Sequence, residues 1–283
     1  MPLPSLRSLL EVGAHVGHKK QHSHPATRRF IYTVKDGVFV INVEKTIEYL
    51  KQAIDFLKRT LKEGGVVLFV GTKPQAREAL KKTAQSVGQP YVSTRWLGGT
   101  LTNFETVKKS LFQLQELDKK MNDPAFETLR KRERTHLKEK HTKLTQIFEG
   151  ILRLTKPPDV LFVVDAYYED IAVSEANRLG IPVVALMDTN ADPEAITYPI
   201  PVNDESKRAV EMILEVISEQ LSGVKIGEKA AEEKKREQPV TRKVQPKPAA
   251  RKISKVVKPT KKVSRKTKSV AKPKSTKKAK KKK

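Results

Sequence analysis

The chain has no cysteine among its 283 residues. That excludes disulfides, thiolate metal sites and a cysteine nucleophile, and it fits a reducing compartment. No apolar run approaches the ~20 residues needed to span a bilayer. The N-terminus, MPLPSLRSLLEVGAHVGHKK, lacks the unbroken apolar stretch and cleavage site of a secretory signal and is poor in Arg for a transit peptide. A soluble, cytoplasmic protein is expected. Acid is almost missing from the last fifty residues: 234–283 hold 23 Lys and Arg against Glu237 alone, a net of +22. Since the whole chain is +25, residues 1–233 amount to only +3.

The same fifty residues have no aromatic side chain and contain five prolines. They cannot bury enough apolar surface to offset the entropy of ordering, so 225–283 is expected to be a disordered tail. Its cations, Lys261, Lys262, Arg265, Lys266, Lys277, Lys278 and Lys280 among them, suit non-specific binding to a polyanion.

The first 224 residues have the patterning of a packed fold. Residues 30–43 hold two β-rich runs around Lys35-Asp36-Gly37, a hairpin signal. Asn42 then stands before a helix over 43–62, in which Ile47, Leu50, Ile54, Leu57 and Leu61 make one apolar stripe. VVLFV (66–70) is apolar throughout, as a strand buried on both faces should be. A helix opens at Pro74, where proline costs no hydrogen bond. The grammar repeats with strands at 159–164 and 182–186, a helix over 169–179, an edge strand at YPIP (198–201) and a closing helix over 205–221. Such alternation predicts a parallel sheet sandwiched by helices, in an α/β portion made of 1–103 and 155–224. Residues 104–154 differ: they have no strand signal, two apolar helical stripes, and a break at Asn122-Asp123-Pro124. Two antiparallel helices projecting from the sheet are the simplest reading, with packing flat on the sheet as the alternative.

Four segments carry candidate chemistry. RWLGGTLTN (95–103) combines Arg95, the sole tryptophan Trp96, two glycines and Thr100, with Asn103 or Thr102 placed to cap the next helix. It reads as a guanidinium and a stacking face for RNA, or as a structural loop with Trp96 buried. FVGTKPQA (69–76) puts Lys73 and then Arg77 between a buried strand and a helix N-terminus, where backbone phosphates bind, though it is neither a Walker loop nor GxGxxG. His15, His18, His22 and His24 interleave with Lys19, Lys20, Arg28 and Arg29. Those cations favour an RNA-facing loop over a metal site; buried imidazoles for His15 or His18 are the plainer alternative. Asp165, Asp188 and Asp192 fall near strand ends, while Asp204 reads as a helix cap. With no base–nucleophile pair beside them, catalysis is not expected, nor any cofactor, metal or small-molecule substrate.

The segments GAHVGHKK (13–20), INVEKT (41–46), LFVGTK (68–73), RWLGGTLTNF (95–104), PDVLFVVDA (158–166), EANRLGIPVVALMDTNADP (175–193) and PIPVNDES (199–206) occur in one order. Together they resemble the bacterial-type second protein of the small ribosomal subunit across about residues 5–220. The resemblance implies a flavodoxin-like, doubly wound α/β/α fold with an inserted helical hairpin at 104–154. It implies a structural, non-catalytic place in the cytoplasmic ribosome, on ribosomal RNA between head and body of the small subunit. The expected partners are that RNA and other small-subunit proteins, including the first, messenger-capturing one. RNA contact would then fall on His18, Lys19, Lys20, Arg28 and Arg29, on Lys73 and Arg77, on Arg95, Trp96, Thr100 and Asn103, and on Lys108 and Lys109 of the hairpin. Val16 and His24 stand where the family usually has Phe and Asn, which weakens aromatic stacking from the first loop. Two other classes fit the residues alone: a phosphate-binding enzyme using the 71–73 loop with Asp165 or Asp188, and an architectural nucleic-acid binder acting through the tail.

Overall fold

Five strands pair in parallel in the order β5-β4-β6-β7-β8: β4 Val67–Val70, β5 Tyr91–Val92, β6 Val160–Val164, β7 Val183–Met187 and β8 Tyr198–Pro201. These elements come from a computed structural model that describes residues 3–224 and Gly227. In sheet order the strands run second, first, third, fourth, fifth, the flavodoxin-like doubly wound arrangement. Alternation along each strand divides the apolar residues between two faces. Val67, Phe69, Phe162, Val164, Val184, Leu186 and Ile200 share one core with α2 (Val43–Lys62), α3 (Pro74–Val87) and α7 (Lys207–Ser222). Leu68, Val70, Leu161, Val163, Ala185 and Met187 share the other with α4 (Phe104–Asn122) and α6 (Asp170–Arg178). Because both faces are covered, β4, β6 and β7 are buried at every position.

The helix α2 starts where the sequence places it: the Asn42 side chain accepts the Glu44 N–H at 2.9 Å. The expected hairpin is present as β2 (Ile31–Lys35) and β3 (Val38–Ile41). Its turn residues Asp36 and Gly37 both have positive φ, as a two-residue hairpin turn requires. A short helix α1 (Leu6–Glu11) precedes β1 (Val16–Lys19), which pairs antiparallel with β3 and completes a second, three-stranded sheet. From its sequence pattern this segment is expected to be a loop, and β3 makes it a strand. Gly17 lets β1 lie against the main sheet: a Cβ there would sit 2.8 Å from the Thr189 methyl and 3.0 Å from Phe39 O.

Between β5 and β6 lie α4 and α5 (Lys131–Phe148), joined through a 3-10 turn at Pro124–Thr128. Val107, Leu111, Leu114 and Leu117 of α4 are buried, whereas Leu137 and Leu144 of α5 are half-buried. His141 Nε2 meets Asp118 Oδ1 across the pair. At the base of α5, Gly150 passes so close to β5 that a Cβ would come within 2.1 Å of Tyr91 O. Of the expected tail only Gly227 is described, its N–H on Leu61 O at 3.1 Å. The tail cations named above lie outside the described residues. No described helix is long and apolar enough to cross a membrane.

Candidate nucleic-acid interface

The loop 95–103 follows β5 and is organised by Glu175, a residue outside the four candidate segments. Glu175 of α6 is 8 % exposed, and its two oxygens accept five hydrogen bonds. Trp96 Nε1 and Gly99 N donate to Oε1 at 3.1 and 2.7 Å. Leu101 N, Thr102 N and Thr102 Oγ1 donate to Oε2 at 2.9, 3.0 and 3.1 Å. Burial pushes the Glu175 carboxyl up, but the N–H groups of Thr102, Leu101 and Gly99 and the Trp96 indole outweigh it and hold it below the usual range. A carboxylate thus fills the backbone concavity in which a nucleic-acid phosphate could have sat. The signal was available: Glu175 is a charge on the helix face that also carries Ala172, Val173 and Ala176, all buried.

This arrangement corrects several expectations for the loop. Trp96 is 8 % exposed and packs in the core around Leu101 and Phe104, so it offers no stacking face to a base. Thr100 is buried, with its hydroxyl on Leu97 O. Neither polar residue caps α4 by side chain. Asn103 occupies the N-cap position without a capping bond and accepts the Thr106 hydroxyl at 2.9 Å, while Thr102 is committed to Glu175. Arg95, Thr102 and Asn103 are exposed. Arg77 closes the neighbouring surface, its guanidinium donating to Thr72 O at 3.1 Å and Thr94 O at 3.5 Å.

Lys73 stands at the crevice between β4 and β6, where doubly wound folds receive ligands. Its ammonium is taken by Asp165 Oδ2 at 2.7 Å and Asp204 Oδ1 at 2.9 Å, so it is not presented to a phosphate. Asp204 is fully buried and caps nothing; Ser206 is the N-cap of α7. Beside them Asp188 Oδ2 lies 3.1 Å from His18 Nδ1. Three carboxylates against one ammonium and one imidazole leave an acid in excess. Burial, then the Asp165 and Asp188 charges, push Asp204 to about 7 despite the Lys73 pull. Burial lowers the Lys73 pKa, but the two carboxylates outweigh it and raise the value. The crevice is filled by internal ion pairs, which leaves the phosphate-binding enzyme reading without its lysine. Among the described residues no cluster of His, Asp and Glu has metal-holding geometry.

The N-terminal segment is fastened to this edge by Thr189, which follows β7. Its Oγ1 accepts His18 N at 2.9 Å and the Ser23 hydroxyl at 3.2 Å. Its carbonyl accepts His24 N at 2.7 Å. Lys19, Lys20, Arg28 and Arg29 are exposed, and none has a carboxylate within salt-bridge range among the described residues. On α4, Lys108 pairs with Glu105 at 2.9 Å and Lys109 is exposed. The structure therefore brings His18 and Lys73 to one acidic cluster, and Arg77, Trp96 and Thr100 into the frame of the loop. Arg95, Lys19, Lys20, Arg28 and Lys109 remain exposed on the outside with no carboxylate in salt-bridge range among the described residues, and the Arg29 guanidinium lies over the Phe30 ring at 4.8 Å.

The family model described as "Ribosomal protein S2" matches residues 9–223. "Small ribosomal subunit protein uS2" of Corynebacterium efficiens is 43 % identical over 235 residues, 83 % of this chain and 84 % of its own. The protein of the same description from Corynebacterium diphtheriae is 43 % identical over 83 % of this chain and 87 % of its own. That from Helicobacter hepaticus is 44 % identical over 215 residues, 76 % of this chain and 81 % of its own. The match spans nearly all of the described fold, including the Glu175-organised loop and the Thr189-fastened segment, and on that ground the chain belongs to the ribosomal protein S2 family, structural and non-enzymatic components of the small ribosomal subunit.

Proposed function

We propose that this protein binds small-subunit ribosomal RNA between head and body in the cytoplasmic ribosome, and that it helps to seat the first, messenger-capturing protein. The α/β portion, 1–103 with 155–224, is the RNA-shaped platform, and 104–154 is a helical arm upon it. The observation that carries this reading is the division of cations. Lys73, in the crevice, is paired with two buried carboxylates, whereas Lys19, Lys20, Arg28 and Arg95 are exposed on segments held in place by Thr189 and Glu175. Phosphate contacts from such fixed cations position a protein on folded RNA, and shape supplies the specificity.

The test is salt-dependent binding to small-subunit RNA. Replacing Lys19, Lys20 and Arg28 together by Ala should lower the slope of log K against log salt by about 2–3, the loss of three phosphate contacts. An unchanged slope removes this segment from the interface.

A further inference from the structure

Two tyrosines on the turn between β6 and α6 have no place in the contacts above. Tyr167 is 64 % exposed and Tyr168 56 %, while the sole tryptophan is buried. The turn that presents them is tied at both ends. Asp165 opens it at φ 68°, a conformation that a non-glycine residue keeps only when its surroundings enforce it. Its carboxylate is held by Lys73 and also accepts the Tyr168 N–H at 2.9 Å. At the far end Glu169 accepts the Thr72 N–H at 2.6 Å. The aromatic pair is therefore preorganised and solvent-facing.

Tyr167 forms one wall of an open cavity of about 440 Å³, with His18, His22, His24 and Asn190 around it. Asn190 brings its side-chain amide to that lining, with Nδ2 3.5 Å from His18 Nε2. Asp192 and Glu205 each lie within 4 Å of a histidine of that lining. They disfavour an acidic insert and favour an uncharged one that carries N–H donors. Lys19, Lys20 and Arg28, exposed on the same segment, supply cations outside the cavity. An aromatic wall, an edge of hydrogen-bonding groups and flanking cations are what a splayed-out nucleotide requires for its base face, base edge and phosphate. We propose that Tyr167, Asn190 and the histidine segment 18–24 form a site for one unpaired RNA base. This rests on the RNA-binding reading given above.

The test uses the full chain, small-subunit ribosomal RNA and base-specific chemical probing. Tyr167→Ala, at so exposed a position, should leave the thermal midpoint unchanged. It should weaken binding about ten-fold, the loss of one stacked base, and make reactive one base that the unaltered chain protects. Tyr167→Phe keeps the ring and should retain both affinity and protection. The salt slope should not move, because no phosphate contact is lost. Equal affinity and protection for Tyr167→Ala and the unaltered chain overturn the proposal, and so does weaker binding with no newly reactive base. Should Tyr167→Ala keep every RNA protection yet shed another protein from reconstituted subunits, the cavity takes a peptide and the proposal fails. An unaltered chain with no preference for this RNA over random RNA defeats the RNA-binding reading itself, before any variant is made.

Discussion

Asp204 and Glu175 show how buried carboxylates of opposite tendency hold the same edge of the sheet. Asp204 sits near 7 because burial and two neighbouring aspartates favour its neutral form. His18 is raised because its hydrogen bond to Asp188 outweighs burial, and burial raises Glu169 against the pull of its Thr72 donors. All three bind protons more tightly folded than unfolded, so their contribution is full at low pH and fades as pH rises through the folded values. For Asp204 that window runs from roughly pH 4 to about 7. The thermal midpoint should therefore fall between pH 5 and pH 8, and Asp204→Asn should flatten that fall; a midpoint that rises over this range contradicts the assignment. Glu175 has the reverse sign: its stabilisation is present above the ordinary carboxylate range and lost as pH drops below it. Glu175→Gln sets an amide N–H₂ among N–H donors and should cost about 3 kcal/mol in denaturant unfolding, where an unaltered curve would show that the loop does not depend on this carboxylate. The importance of Asp204 was hidden in the sequence, because an Asp just ahead of a helix is ordinarily a cap. Its real partner, Lys73, is 131 residues away.

At the scale of elements, the local signals were the legible ones. The helix α2 was readable from Asn42 and a stripe at three- and four-residue spacing, and β4, β6 and β7 from uniformly apolar runs. The strand β1 was not, since its four residues, VGHK, contain no buried position and so no apolar alternation. It is a strand because β3 supplies the hydrogen bonds, information that lies some twenty residues away. The close contact at Gly150 was equally invisible, as nothing near it in sequence marks Tyr91. There a methyl group would strike the backbone of β5, and backbone cannot yield as a side chain does. Gly150→Ala should destabilise the fold by about 3 kcal/mol, through overpacking, and should speed hydrogen exchange in Glu149–Ile151 and in β5. A neutral substitution would mean that α5 and β5 are not locked together at this point.

The molecule as a whole divides its charge unevenly along the chain. Residues 104–154 hold 12 Lys and Arg against 8 acids, so the rest of 1–233 is close to neutral while 234–283 carries +22. The family match covers 9–223 and stops short of that last segment. Specific recognition should therefore reside in the matched part, through fixed cations and the shaped edge of the sheet, with the terminal segment adding affinity for any polyanion. The direct measurement compares the full chain with one ending at residue 233, each titrated with small-subunit RNA and with random RNA over a range of salt. If about ten of the 23 terminal cations meet phosphates, truncation should reduce the slope of log K against log salt by roughly 7–9 and weaken binding to both RNAs. The ratio of the two affinities should survive. A ratio that collapses to one on truncation would place recognition in the terminal segment and contradict the account.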